Sequence, residues 1–564
     1  MKFDFIAKPY IPFAIIAIVG FLLYGQTLFF GYTYLDDTSL IVDNAAFLGR
    51  PSSIIDSFRY DVGGPPTISP GGFGFYRPVL TLSFIANYTL GGVEPFIYHL
   101  TNVLLHIIAV ELLFVLLCAF ALSRQTSFAF AIIFLVHPMA LAVTAWIPGR
   151  NDALLAIGVF ASLLFFIGFW RDKKIAYFVA HQAFFLFALF TKETAFVLPL
   201  ICVLYVACLT KERVFKIDWR RMALIACWAV SLGVWFLARQ NAMFEDNQVI
   251  SPSGALGAII MNAPGALSYI EKIFLPFRLS VYPIRQDLSV LPGFLILLVL
   301  MAGFAVSTPR GRRVMAFGLL WFVVFIIPGL VNTQPVLKVD FAEHRAYIPF
   351  LGIILFISQV SFLPKISTQA LRLWAPVFLS VLLLVLCGIN FYHARAYRDA
   401  EHFWHNAIET SPHASAAHNG LGAYYYIAQD LLRAEEEFKR AIALNDAGSE
   451  HHYNLGMIYF QKKMYDEARS SFENELAINA SYIKAYLNLG AVYYFEGNMQ
   501  KAEEVWLEGL KINPDYHDIH NNLAFIYYQQ GDIEKALRHA RIVLESDGQL
   551  REQVYQALMP YLGI

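Results

Sequence analysis

From Leu421 onward the chain returns to the same residue types every 34 positions. Gly422, Gly456, Gly490 and Ala524 share one phase, as do Leu421, Leu455, Leu489 and Leu523, and Tyr425, Tyr459, Tyr493 and Tyr527. Ala434, Ala468, Ala502 and Ala536 keep the step, followed by a large-residue position, Phe438, Phe472 and Trp506, which lapses to His539/Ala540 in the last copy. A unit this short cannot bury its apolar face alone, so copies must stack into a solenoid. Small residues at the Gly and Ala positions let paired helices approach closely, while Leu, Tyr and Phe fill the groove between neighbours.

The period and its residue types are those of the tetratricopeptide repeat. Gly497 and Gly531 mark turns within copies, and Pro514 after Asn513 stands where a helix should stop. A partial copy precedes the first, because Ala400 and Ala407 lie 34 residues before Ala434 and Ala441. The array is therefore expected to follow the last apolar segment with little linker, and 551–562 to form a capping helix. An ordinary helical bundle would rarely hold so many positions in register.

Everything before about residue 395 is of a different kind. In a 564-residue chain with 57% hydrophobic and only 15% charged residues, the apolar excess sits in that first part. Runs long enough to cross about 30 Å of hydrocarbon recur near 10–30, 96–121, 126–146, 153–170, 175–191, 194–209, 221–238, 291–307, 314–331, 346–363 and 373–391. The expectation is an all-α protein with a polytopic membrane bundle of roughly eleven spans over 1–395 and a soluble repeat solenoid over 396–564. The first run is long and no small-x-small site follows it before Tyr32, so it does not read as a cleavable signal peptide.

Lys and Arg in short loops orient such a bundle. Lys2, Lys8, Arg124, Arg171 to Lys174, Lys211 to Arg221, Arg310 to Arg313, Lys365 and Arg372 are expected on the cytoplasmic side. They share one side only if 240–290 stays wholly outside, as an interfacial or re-entrant hairpin around Pro264 and Pro276. The loop after the first span, the helix ends bearing Arg150 and Lys192, the loop 332–345 and the repeats then fall on the outer face. Cys118, Cys202, Cys208, Cys227 and Cys387 lie in or beside apolar runs without Cys-x-x-Cys spacing, which supports neither a disulfide scaffold nor a zinc site. A net charge of −1 carries no nucleic-acid signal.

Ionisable residues cluster where that outer face is expected. Tyr34-Leu35-Asp36-Asp37-Thr38 places two adjacent carboxylates just beyond the first apolar run. A carboxylate at a membrane surface can take the proton of an acceptor hydroxyl, and a second could orient the acceptor or hold a divalent metal. Asp-Asp at such a boundary is also a common solvated turn. Phe75-Tyr76-Arg77-Pro78 precedes the next stretch, and His99, Asn102 and His106 at steps of three and four give one helical face polar character. Such a face marks a cavity or interhelical hydrogen bonding. Glu111 points about 120° away from it. His137-Pro138, Trp146 to Asp152, Thr191 to Thr194 and Phe341 to Tyr347 follow, and three of these ends carry a cation near an acid. Cations there would suit a phosphate leaving group, on which negative charge grows.

The strings LDDTSLIVDN, FYRPVLTLSF, YHLTNVLLH, FLVHPMALAVTAW, GRNDALLA, TKETAFVLPL and AEHRAYIPFLG, in this order and followed by the repeats, resemble the tetratricopeptide-repeat transmembrane O-mannosyltransferases and their bacterial relatives. The resemblance spans most of the chain and is weakest over 210–330. It implies a membrane glycosyltransferase C-type fold, a polyprenyl-phosphate sugar as donor, and catalysis by Asp36 and Asp37. Arg77, His99, Asn102, His137, Arg150, Asp152, Lys192, Glu193, Glu343, His344 and Arg345 fall in matching motifs and would line the donor pocket. Fewer repeats than in typical animal members point to a bacterial relative in the inner membrane.

The expected activity is transfer of mannose or another hexose to a protein Ser or Thr hydroxyl, with the acceptor presented on the repeat surface and Arg150, Lys192 or Arg345 holding the donor phosphate. Partners are the lipid-linked sugar, the acceptor polypeptide and the bilayer; no nucleic acid is expected. Whether a divalent metal acts through Asp36 and Asp37 stays open. A non-enzymatic membrane-anchored scaffold is one alternative, although an anchor needs a single span. A lipid-linked polysaccharide ligase or polymerase is the other, differing in its acceptor.

Overall fold

The computed structural model describes residues 9–65, 74–210, 212, 218–243, 252–331, 341–360, 368–448, 450–545 and 550–562. Lys2, Lys8, Lys211, Lys365 and most of the loop 332–345 lie outside them. Every regular element among the described residues is helical. The chain divides into two compact units, Met1–His413 and Ala414–Ile564, and the helix Ala400–Thr410 belongs to the first.

Among the described residues of the first unit, six helices are long and apolar enough to cross a membrane: Ile11–Phe29, Pro95–Ala119, Ile147–Asp172, Trp219–Ala242, Pro309–Leu330 and Trp374–Tyr397. Arg124–Val136 and Pro138–Ala145 form a seventh if their 58° bend is counted within one span. Ile175–Thr191, Glu193–Leu209 and Leu291–Val306 are apolar but shorter, and the run near 346–363 contains the described helix Phe350–Ile357. Of roughly eleven apolar runs, six thus become helices of full spanning length among the described residues, and others form shorter apolar helices. Lys192 is extended at φ −155° and ψ 137°, ending one helix and starting the next. Over 252–274 the chain forms short helices, Pro252–Asn262, Ala263–Gly265 and Ala266–Phe274.

At the bend before Pro138, carbonyls lose their helical partners and must find others inside the bundle. Leu135 O accepts the Tyr24 hydroxyl at 2.7 Å and lies 3.1 Å from His106 Nε2. Asn390 Nδ2 donates to Val136 O at 3.3 Å and to the Tyr24 hydroxyl at 3.1 Å. His106 Nε2 therefore carries the hydrogen, which leaves Nδ1 to accept from the Tyr347 hydroxyl at 2.7 Å. Close backbone approach holds another contact: Gly318 and Gly352 each face the other's carbonyl oxygen, and a Cβ on either would overlap it.

The second unit pairs Ser415–Ile427 with Leu431–Leu444, His451–Gln461 with Tyr465–Ile478, Ile483–Phe495 with Met499–Ile512, and His517–Gln530 with Ile533–Glu545. Glu552–Leu562 follows, the closing helix the sequence predicts. The phased residues have direct physical roles. A Cβ on Gly422 would meet the Phe438 ring at 2.7 Å and one on Gly456 the Phe472 ring at 2.7 Å, while Gly490 faces Trp506. Where the aromatic lapses, His539 stacks on Tyr527 with ring centroids 5.5 Å apart. Gln429, Lys463, Gly497 and Gly531, again 34 residues apart, all take positive φ at the turn within a copy. Glycine does so without strain; the two side-chain-bearing residues each cost about 1 kcal/mol.

Candidate functional site

The segment after the first span treats its two acids differently. Asp37 is 1% exposed. Its Oδ2 accepts the Thr33 amide at 2.7 Å and the Thr33 hydroxyl at 3.0 Å, and Oδ1 accepts the Thr38 amide at 3.0 Å. Burial pushes the carboxyl up to about 6, against the downward pull of those hydrogen bonds. Asp37 thus closes its own loop and starts the short π-helical turn Thr38–Val42. Asp36 instead lines a cavity of about 750 Å³.

Four further segments supply that cavity's charged wall. Arg77, just before the helix Pro78–Gly91, reaches it and grips Glu193 with two bonds, Nη2 to Oε1 at 2.8 Å and Nε to Oε2 at 3.2 Å. Lys192, at the helix break, donates to Asp152 Oδ1 at 2.8 Å, and Asp152 sits in the first turn of Arg150–Asp172. Glu343, His344 and Arg345 come from a single turn of 3-10 helix, Glu343–Ala346.

His344 Nε2 lies 4.0 Å from Asp152 Oδ2, and its ring centroid is 5.5 Å from that of Trp146. Burial drives its pKa down to about 3, with Lys192, Arg345 and Arg77 adding to the fall and Asp152 opposing it, so the imidazole is neutral. Arg345 Nη1 donates to Gly329 O at 3.2 Å. Glu343 is 5% exposed and accepts the Ser280 amide at 2.9 Å; burial raises its carboxyl to about 7, although Lys272 and the Ser280 bond pull it down.

Asp37, His99, Asn102, His137 and Arg150 stand apart from this lining. Arg150 is 0% exposed and fully engaged: Nε donates to Asn102 Oδ1 at 2.8 Å, Nη1 to Asn87 Oδ1 at 2.5 Å and Nη2 to Tyr98 O at 2.7 Å. Its guanidinium also lies over the Phe84 ring at 4.9 Å. A phosphate would have to strip it of all these, so the expected phosphate contact at Arg150 does not fit its geometry. Asn102 joins helices through Trp146 O at 2.9 Å and Ile147 O at 3.3 Å. His137 accepts the Met139 amide at Nδ1 and donates from Nε2 to Ile273 O at 3.0 Å, while His99 is enclosed against Phe30. The polar face His99, Asn102 and His106 serves interhelical contact.

Sequence reasoning did not single out Tyr269, Ser280, Tyr282 and Tyr397, which also line the cavity. They are uncharged residues outside the motifs at the helix ends, and only folding brings them to the acids and cations. As for a metal, the described residues contain no group of three or more His, Cys, Asp or Glu able to hold one. Asp37 also directs both oxygens at Thr33 and Thr38, so the adjacent acids do not present a paired ligand. The cavity combines four carboxylates, Asp36, Asp152, Glu193 and Glu343, with three cations, Arg77, Lys192 and Arg345, and a neutral imidazole, so that a proton acceptor and groups able to meet a phosphate share one chamber.

Family models for the TPR repeat match residues 492–531, and those for the tetratricopeptide repeat match 388–449 and 428–482. Protein O-mannosyl-transferase Tmtc1 of Drosophila melanogaster is 31% identical over 184 residues, 33% of this chain and 21% of that protein. TMTC3 of Mus musculus is 32% identical over 142 residues, covering 25% and 15%, and tmtc2 of Xenopus laevis is 38% identical over 149 residues, covering 26% and 17%. The chain therefore matches about a fifth of the length of these relatives, and the likeness is to the family its motifs resemble. Among solved structures, MamA is 24% identical with a TM-score of 0.25, over 26% of this chain and 86% of that one. YrrB, described as a TPR protein with an unusual peptide-binding site, is 18% identical with a TM-score of 0.25, over 34% and 97%.

Proposed function

We propose that this protein is a multi-pass membrane glycosyltransferase that moves mannose, or another hexose, from a polyprenyl-phosphate donor to a Ser or Thr hydroxyl of a protein. In this reading 1–395 forms the catalytic part in a bacterial inner membrane, and the repeats of 396–564, on the same extracytoplasmic side, capture the acceptor protein. The observation that carries it is the single cavity in which Asp36 shares walls with Arg77, Lys192, His344 and Arg345.

Asp36 takes the proton of the acceptor hydroxyl as its oxygen attacks the anomeric carbon. The bond from that carbon to the phosphate oxygen breaks, and polyprenyl phosphate leaves with added negative charge. Lys192 and Arg345 meet that charge, with Arg77 held in place by its two bonds to Glu193. Being neutral, His344 can share a hydrogen bond with sugar or phosphate without adding a fixed charge. Asp37 and Arg150 act through shape: one fixes the loop carrying Asp36, the other ties the helix start carrying Asp152.

The test is transfer of labelled hexose from polyprenyl phosphate to protein in membranes containing the full chain. Wild type should transfer and Asp36→Asn should not, at equal expression. Full transfer by Asp36→Asn would refute the mechanism. A non-enzymatic scaffold has no account of acids and cations converging on one chamber.

A further inference from the structure

Asn151 is buried on the cavity lining, and the mechanism above gives it no part. It stands in the first turn of Arg150–Asp172, between a residue turned inward to Asn102 and one bonded to Lys192. Its own side chain joins two other segments. In the amide orientation that pairs both of its polar atoms, Oδ1 accepts from Arg77 Nη1 at 3.0 Å and Nδ2 donates to Thr191 O at 2.9 Å. The reverse orientation would set oxygen against the Thr191 carbonyl and N–H groups against the guanidinium.

The bond to Thr191 follows from the helix break. Ile175–Thr191 stops where Lys192 turns extended, so its last carbonyls need partners from outside the helix. Asn151 supplies one. Two residues further on, Glu193 grips Arg77. Arg77, Asn151, Thr191 and Glu193 therefore close a ring through the short stretch that carries Lys192, and Asp152 holds Lys192 itself at 2.8 Å.

Arg77 is constrained from three directions. Glu193 takes the N–H of Nε and one of Nη2, Asn151 takes one of Nη1, and the Phe75 ring centroid lies 4.2 Å from the guanidinium carbon. A guanidinium carries one N–H on Nε and two on each terminal nitrogen. Among the described residues, one N–H on Nη1 and one on Nη2 are thus left to a group that lines the cavity. Because Glu193 already balances the charge of Arg77, what this side chain offers a ligand is direction more than net charge.

We propose that Asn151 is a positioning residue: by holding Nη1 while Glu193 holds the opposite edge, it directs the two remaining N–H groups of Arg77 into the cavity as a fork for phosphate oxygens. This rests on the transfer reaction proposed above. Without Asn151 the guanidinium can pivot on its Glu193 edge, and the helix end beside Lys192 loses a tie. Phosphate recognition suffers through Arg77, whereas the isoprenoid tail is held by apolar surface that Asn151 does not set.

The experiment uses the full chain in nanodiscs with two photoreactive probes of equal chain length, polyprenyl phosphate and the uncharged polyprenol. Wild type should bind the phosphate more tightly than the alcohol. Asn151→Ala should weaken phosphate binding about tenfold and leave the alcohol unchanged, with kcat for hexose transfer falling in parallel. In an Arg77→Met background the same change should cost less than about twofold, because its effect passes through the guanidinium. Asn151→Leu, which keeps the bulk of the side chain, should behave alike. Equal loss of phosphate and alcohol, full additivity with Arg77→Met, a wild type that binds both probes alike, or loss of folded protein in both Asn151 variants would overturn the proposal and leave Asn151 a tie between helices. The expected coupling in a wild type that transfers no hexose would keep Asn151 in its role toward an anion and remove the reaction proposed above. Transfer by wild type without that coupling would do the reverse.

Discussion

Asp37 accepts the amide of Thr33 at 2.7 Å, a bond that turns its carboxylate back onto its own loop and away from the cavity lined by Asp36. Two adjacent acids therefore do different work. Asp36→Asn should lower transfer by about 10²- to 10⁴-fold with unfolding temperature unchanged. Asp37→Asn turns an amide N–H toward donors and should cost about 1–3 kcal/mol of stability. Transfer assays run beside thermal unfolding separate the two.

The Lys192–Asp152 pair, at 2.8 Å and 13% and 8% exposed, should matter for the leaving group. Lys192→Met is expected to lower kcat/KM by about 10²- to 10³-fold, mainly through kcat, since the phosphate gains charge only as its bond breaks. An effect confined to KM would count against a leaving-group role.

Arg150 should behave as a structural residue. Arg150→Met leaves Asn87, Asn102 and the Tyr98 carbonyl unpaired in the interior and should cost about 3–5 kcal/mol. Loss of folded protein on size exclusion is the expected readout. A well-folded but inactive Arg150→Met would instead place this residue in the chemistry.

Glu343 gives a pH dependence with a defined sign. Its folded carboxyl titrates near 7, above the ordinary 4.5, so the folded state holds the proton more tightly. That contribution to stability is complete below about 4.5 and is lost as pH rises through about 7. His344, depressed to about 3, acts in the opposite sense as pH falls below 6.5, so the Glu343 effect must be read as a difference. The unfolding-temperature gap between wild type and Glu343→Gln should shift against wild type from pH 4.5 to 7.5; a constant gap would contradict the raised pKa.

In the repeats, a Cβ on Gly456 would press on the Phe472 ring at 2.7 Å. Gly456→Val should cost about 1–3 kcal/mol by overpacking, and Phe472→Ala about 3–5 kcal/mol by leaving a cavity. Chemical unfolding followed by circular dichroism measures both.

What the sequence by itself determined is whatever repeats at fixed intervals or depends on composition. The 34-residue phase specified the paired helices because Gly422, Gly456 and Gly490 each face an aromatic ring from the same copy, a local relation that spacing encodes. Apolar runs located the apolar helices but not their lengths, since the bend at Pro138 falls within one continuous run, 126–146. From the charged motifs at helix ends, Asp36, Arg77, Asp152, Lys192, Glu193, Glu343, His344 and Arg345 line one chamber.

Only the tertiary structure decided which of the remaining motif residues reach that chamber. Asp36 and Asp37 are indistinguishable as letters, yet the hydrogen bonds of Thr33 and Thr38 aim them differently. Arg150 lies two residues from Asp152, and those two steps, about 200° around the helix, turn it inward to Asn102. Tyr269 and Ser280 join the wall from a segment that none of the charged motifs at helix ends includes. The direction of a side chain depends on partners distant in sequence, and a linear motif records the residue type without recording those partners.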